Sequence, residues 1–102
     1  MNTRRIERTA KGAPYAGDHS EYLRAVARMI RGAGKRAADA DPDELAELLE
    51  LRAHLDLAIG EAVLGQRERH SLGQLAAVLE VSRPAVAKME SRARALRERL
   101  LP

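Results

Sequence analysis

Apolar residues recur at spacings of three and four along four stretches of the chain, which is the period of one helix face. The first stretch begins near Ser20, a good N-cap residue, and the glycines of "GAG" at 32–34 are expected to end it. Its apolar positions are Tyr22, Leu23, Val26, Met29 and Ile30. The pattern therefore predicts a first helix from about residue 20 to the glycines.

The second stretch has the clearest helix start in the chain, "DADPDE" at 39–44. Asp41 can cap the helix, Pro42 fits its first position, and Glu44 completes a spacing like that of a capping box. A long helix is predicted from there to about Gly65. Its apolar stripe consists of Leu45, Leu48, Leu49, Leu51, Leu55, Ile59, Ala62 and Val63. Its acidic side carries Glu44, Glu47, Glu50, Asp56 and Glu61. We interpret that side as a solvated face, or as one paired with arginines on a neighbouring helix.

Two further helices are predicted in the last third of the chain. Ser71 can cap a short helix over about 72–79, with Leu72, Leu75, Ala76 and Leu79 facing inward. Ser82 can cap the last helix, with Pro84 in its first turn, where a missing N–H does no harm. This helix can continue to Leu100 along the stripe Val86, Met89, Ala93, Leu96 and Leu100. Its length favours packing on the leucine-rich helix or pairing with a second copy.

The composition supports an all-α fold. The chain has 102 residues, enough for one domain, and neither Phe nor Trp, so its core consists of Leu, Val, Ile, Met and Ala. We predict a small helical bundle of about four helices over 18–102, with a helix-turn-helix at 71–92. Residues 1–17 are predicted to be a flexible basic tail, because Gly12, Pro14 and Gly17 break any helix there.

Several functional classes find no support in the sequence. There is no cysteine, and His19, His54 and His70 match no metal-ligand spacing. No catalytic cluster and no glycine-rich phosphate loop stands out, so we expect no enzyme activity, no metal and no cofactor. No apolar run is long enough for a membrane helix, and the N-terminus does not read as a secretory signal. We therefore expect a cytoplasmic protein.

The net charge of +3 is unevenly distributed along the chain. Residues 1–38 carry a net charge of +6, residues 39–61 carry −7 and residues 62–102 carry +4. A basic–acidic–basic layout says more about partners than the net charge does. It makes the acidic helix at 43–61 a possible surface for a protein partner.

The interruption "EVSRP" between the last two helices has the features that a helix-turn-helix requires. Such a unit needs a small residue where the helices cross, apolar residues that lock them together, and a polar, capped start to the second helix. Ala76 supplies the small residue and Ser82 the cap. The locking residues are Leu75, Leu79, Val81, Val86 and Met89.

The stretch "SLGQLAAVLEVSRPAVAKMESRARAL" resembles the helix-turn-helix of bacterial and phage regulators, including the DNA-reading region at the C-terminal end of sigma factors. The resemblance rests on the spacing of Ala76, Val81 and Val86. It covers about a quarter of the chain and implies double-stranded DNA binding by a bacterial-type regulator. Many members of this family carry glycine at the turn, where this chain has Glu80. A non-glycine residue there has to accept a strained or differently shaped turn.

The resemblance also implies which residues meet DNA. Those on or near the first turns of the recognition helix are Ser82, Arg83, Pro84, Ala85, Ala87 and Lys88. Arg83 is the candidate base reader, because a guanidinium bonds guanine bidentately, although it can equally contact a phosphate. Ala85 can meet a thymine methyl. Lys88, Arg92 and Ser71 are candidate phosphate contacts, and the two cations can also be simply solvated.

Three alternatives remain open for the function. The first is a homodimeric transcription regulator located at the nucleoid, with Arg4, Arg5 and Arg8 of the tail as a possible basic arm on DNA. The second is a plasmid or phage DNA-organising protein, for partition or architecture, which would use the same reading unit. The third is a helical protein–protein adaptor that binds a basic partner through the acidic helix.

Overall fold

A computed structural model describes residues 19–102, and in this range the chain forms four helices and no strand. They are α1 (His19–Ala38), α2 (Asp43–Gln66), α3 (Leu72–Leu79) and α4 (Arg83–Leu100). The predicted all-α class with about four helices is confirmed. None of these helices is both long and apolar enough to cross a membrane. The predicted tail, residues 1–17, lies outside the described residues.

The chain divides into two compact units, with the boundary between Glu44 and Leu45. The first unit contains α1, which continues through the glycines at 32–34 instead of ending there. The predicted end was wrong because glycine in a helix interior costs only about 1 kcal/mol and does not by itself stop a helix. The helix ends at Ala38, shortly before Pro42, whose ring disfavours helical backbone at the preceding residue.

The second unit is organised by α2 and α4, which pack antiparallel. One core cluster joins Ala53 and Leu57 of α2 to Ala93 and Leu96 of α4, with Leu100 packed against it. A second cluster, nearer the C-terminal end of α2, joins Val63 to Val86 near the start of α4. The last helix therefore packs on the leucine-rich helix, which is one of the two arrangements that its length favoured.

Small residues allow α2 and α4 to approach closely. Gly60 is buried, and a Cβ atom built on it would lie 2.4 Å from the Cβ of Ala93 and 2.5 Å from the carbonyl oxygen of Met89. Both separations are far below the optimal distance between non-bonded carbon atoms, which is about 3.5–4.0 Å. A side chain at position 60 would therefore hold the two helices apart.

Ion pairs connect the acidic side of α2 to the arginines of α4. Glu50 lies 3.0 Å from Arg99, Asp56 lies 3.2 Å from Arg92, and Glu61 pairs with Arg97. The interpretation of this side as one paired with arginines on a neighbouring helix is confirmed for these three carboxylates. Glu44 and Glu47 have no ion-pair partner among residues 19–102. Three of the five carboxylates on the acidic side therefore pair with α4, and each exposed ion pair adds about 0–1 kcal/mol to the free energy of unfolding.

The predicted apolar stripe of α2 is mostly exposed, although its pattern favours burial of this side of the helix. The buried residues of α2 are Ala53, Leu57, Gly60 and Val63. The exposed large residues of the stripe are Leu45, Leu49, Leu51, Leu55 and Ile59. Apolar residues occur around much of this helix, so one side meets α4 while another stays open.

Candidate nucleic-acid interface

The turn between α3 and α4 is closed by a backbone motif centred on Glu80. Glu80 has φ 58° and ψ 43°, which is the left-handed region that favours glycine. Its N–H donates to the carbonyl of Ala77 at 3.2 Å, and the N–H of Val81 donates to the carbonyl of Ala76 at 3.0 Å. These two bonds form a Schellman motif, so the turn has the usual shape and Glu80 accepts the strain at the usual glycine position.

Both helices of the unit begin at the predicted serine caps. The hydroxyl of Ser71 accepts the N–H of Gln74 at 3.1 Å, and the Gln74 side chain accepts the N–H of Ser71 at 2.7 Å, which completes a capping box. The hydroxyl of Ser82 accepts the N–H of Ala85 at 3.1 Å, and Pro84 lies in the first turn of α4. The two caps fix the direction in which α4 begins after the loop that connects it to α3.

The lock between the helices is a small apolar cluster. Val86 is fully buried, and it packs with Leu75, Ala76 and Val63. Leu72, Val81 and Met89 pack against the outside of this cluster. Leu79, which the pattern places inward, is 41% exposed because it is the last residue of α3, where the chain turns away. The start of α4 is therefore rigidly attached to both α3 and α2.

The predicted contact residues fall into two groups by exposure. Ser71, Ser82, Arg83, Pro84 and Lys88 are exposed, and they follow one another around the turn and the start of α4. Ala85 and Ala87 are half-buried, so only part of each side chain can meet a ligand. The structure thus presents a short polar surface with two cations at the beginning of α4.

The side chain of Arg83 passes close to Gly73, a residue that the sequence pattern does not mark as part of the site. A Cβ atom built on Gly73 would lie 3.0 Å from Nη2 and 3.2 Å from Nε of Arg83. The guanidinium therefore lies against the first turn of α3, and a side chain at position 73 would make the end of Arg83 shift. The glycine in "SLGQL" gives no sign of this in the sequence, because the two residues meet only through the turn.

Half of the eight cations in residues 62–102 form ion pairs within the fold. Arg92, Arg97 and Arg99 pair with α2, and Arg67 lies 3.1 Å from Glu90, whose side chain is 11% exposed. Within residues 19–102, no ion-pair partner is found for the remaining cations of this third, Arg69, Arg83, Lys88 and Arg94. Arg92, a predicted phosphate contact, is therefore exposed but already engaged by Asp56.

The other chemistry of the described residues is sparse. Residues 19–102 hold no group of three or more His, Asp or Glu side chains that could bind a metal ion. The tail arginines Arg4, Arg5 and Arg8 lie outside the described residues. No protein-family model, curated protein or solved structure matches the chain.

Proposed function

We propose that this chain is a sequence-specific double-stranded DNA-binding protein that regulates transcription and reads the major groove with the start of α4. The observation that carries the proposal is the exposed, Ser82-capped first turn of α4, held by the Schellman turn against α3. A helix of this kind enters the major groove with its N-terminal residues on the base edges. The proposed site of action is the nucleoid, within the cytoplasm.

The roles of the side chains follow from where they lie. Arg83 is exposed at the first position of α4 and has no ion-pair partner within residues 19–102, and it is the base reader in this proposal. Lys88 lies about one turn further along and contacts a phosphate, while Ser71 places the start of α3 near the backbone. Arg92 contributes only if a phosphate replaces Asp56 as its partner, so we assign it a smaller share than Arg83 and Lys88.

The protein acts in this proposal as a homodimer, with the basic tail as an additional backbone contact. Two copies related by a two-fold axis read two half-sites about one helical turn of DNA apart. The dimer also compensates for the small number of unpaired cations on each start of α4, because two weak surfaces on one ligand bind more tightly than either alone.

The test is selection of bound sequences from randomised duplex DNA, followed by titration at several salt concentrations. We expect an enriched, roughly palindromic motif. Arg83→Ala should cost about 1–3 kcal/mol and relax specificity at one base pair, whereas Lys88→Ala should weaken all sequences and reduce the salt slope by about one. Arg94→Ala is the matched control, because Arg94 is also exposed on α4 and has no ion-pair partner within residues 19–102, but lies away from the first turns of the helix.

Two other results would replace the proposal. Affinity that falls steeply with salt and selects no motif indicates the DNA-organising alternative. No binding at low salt excludes DNA. The adaptor then becomes the leading function, and one observation supports it. The first turns of α2 expose the apolar side chains of Leu45 and Leu49, and elsewhere on the helix the carboxylate of Glu47, for which no ion-pair partner is found within residues 19–102, so this end offers apolar and acidic groups to a basic protein.

A further inference from the structure

The outer side of α2 leaves an apolar face uncovered. Leu51, Leu55 and Ile59 are 38%, 44% and 41% exposed on this side, away from the residues that pack on α4. Leu48 is half-buried there, and Ala58 and Ala62 are exposed. A continuous apolar face of this kind on a small protein marks an interaction surface.

This face has the seven-residue period of a two-helix seam. Its seam positions are Leu48, Leu51, Leu55, Ala58, Ala62 and Gly65. Spacings of three and four in alternation keep these residues on one side of a helix over more than four turns. The large residues occupy the N-terminal half of the seam and the small residues occupy the C-terminal half.

We propose that this face binds the same face of a second copy of the chain, with the two α2 helices antiparallel. In that arrangement Leu48 faces the partner's Gly65, Leu51 faces the partner's Ala62, and Leu55 faces the partner's Ala58. Every layer then combines a leucine with a small residue, and the two-fold axis repeats each layer once. A Cβ atom built on Gly65 would meet nothing within 4 Å, so the space for the partner's leucine is open.

Charge favours the same arrangement. The register brings Glu44, in the first turn of α2, opposite the partner's Arg69, which lies three residues beyond the helix end. Neither residue has an ion-pair partner within residues 19–102. In the same register Glu47 lies at the level of the partner's Gln66, which carries no charge. A parallel pair would instead place Glu44 against the partner's Glu44.

This surface specifies where the homodimer of the proposed function forms. The dimer itself does not depend on the proposed function; only the role of the dimer on DNA rests on it. Its tests use the full chain without DNA, so the dimer can fail while DNA binding stands, and the reverse also holds. The first test is sedimentation equilibrium of wild type, which we expect to give a dimer. Leu55→Arg should raise the dissociation constant at least tenfold, because it places two charges at the centre of the seam.

Leu49→Arg is the control for this substitution. Leu49 is 59% exposed on the same helix but lies outside the seam, so Leu49→Arg should leave the dimer intact. Circular dichroism verifies that both variants stay helical. A monomeric wild type, or equal effects of the two variants, overturns the proposal and indicates that a different protein or a segment of the same chain covers this face.

Cysteine cross-linking tests whether the two α2 helices are antiparallel. The sequence contains no native cysteine, so only the introduced thiols can form a disulfide. The pair Leu51→Cys with Ala62→Cys should form a disulfide-linked dimer under mild oxidation. Leu51→Cys alone should not, because eleven residues along α2 separate the two thiols by about 16 Å. Cross-linking by the single variant would show a parallel pair and overturn the register.

Reversing the end charges gives an independent test. Glu44→Arg should weaken the dimer several-fold, and Arg69→Glu in the same chain should restore it. A double variant that stays as weak as Glu44→Arg contradicts the proposed contact between these residues.

Discussion

Gly60 determines how closely α2 and α4 approach, and Gly60→Ala tests that conclusion. In an ordinary helix interior the change from glycine to alanine stabilises by about 0.8–1.0 kcal/mol. Here the added methyl would lie 2.4 Å from the Cβ of Ala93 and 2.5 Å from the carbonyl oxygen of Met89. One of these two neighbours is backbone and the other is attached directly to it, so neither can rotate away. The helices must move apart by roughly 1 Å or more before these atoms reach a normal non-bonded distance.

Separation of the helices loosens the cluster formed by Ala53, Leu57, Ala93 and Leu96. Overpacking of this kind costs about 1–3 kcal/mol, which exceeds the gain in helix propensity. We therefore expect a net loss of up to about 2 kcal/mol, which lowers the melting temperature of a domain this size by up to roughly 16 °C. The measurement is thermal unfolding by circular dichroism at 222 nm, since the chain has no tryptophan.

Gly32→Ala, in the interior of α1 and outside the proposed seam, is the control, because a Cβ atom there meets nothing within 4 Å. It should stabilise the protein by up to about 1 kcal/mol, with the opposite sign to Gly60→Ala. If both substitutions stabilise the protein, the close approach of α2 and α4 is absent and the reasoning is refuted.

Three further substitutions test the turn, the cap and the buried ion pair. Glu80→Gly should stabilise by about 0.5–1 kcal/mol, because glycine adopts the left-handed backbone without strain; a loss in urea unfolding would contradict the turn. Ser82→Ala should destabilise by about 1 kcal/mol through the lost cap, seen in the same urea titration, and no change would mean that the cap is not formed. Arg67→Ala should cost about 1–3 kcal/mol because it leaves the buried Glu90 carboxylate unpaired. Arg99→Ala, which breaks an exposed pair, should cost less than about 1 kcal/mol, and equal losses would contradict the difference in burial.

The ends of most helices could be predicted from the sequence, because they depend on neighbouring residues. Ser71, Ser82 and Pro84 act within one turn of their own backbone, and the structure has their helices begin where the pattern indicates. The apolar contact between α3 and α4 was likewise visible from spacing, since Ala76 and Val86 belong to one core cluster. The strain at Glu80 was predictable as well, since the turn requires positive φ at that position.

Only the tertiary structure decided which faces and charges are used. The apolar residues of α2 surround much of its circumference, so periodicity could not tell the side that meets α4 from the side that stays open. Gly60 and Gly73 look alike in the sequence, yet one lies under Ala93 and the other under Arg83. Arg92 and Lys88 are both cations on α4, but among residues 19–102 Arg92 has a carboxylate partner, Asp56, and Lys88 has none. Helical period fixes directions about a helix's own axis, whereas burial and pairing depend on what a distant part of the chain places beside it.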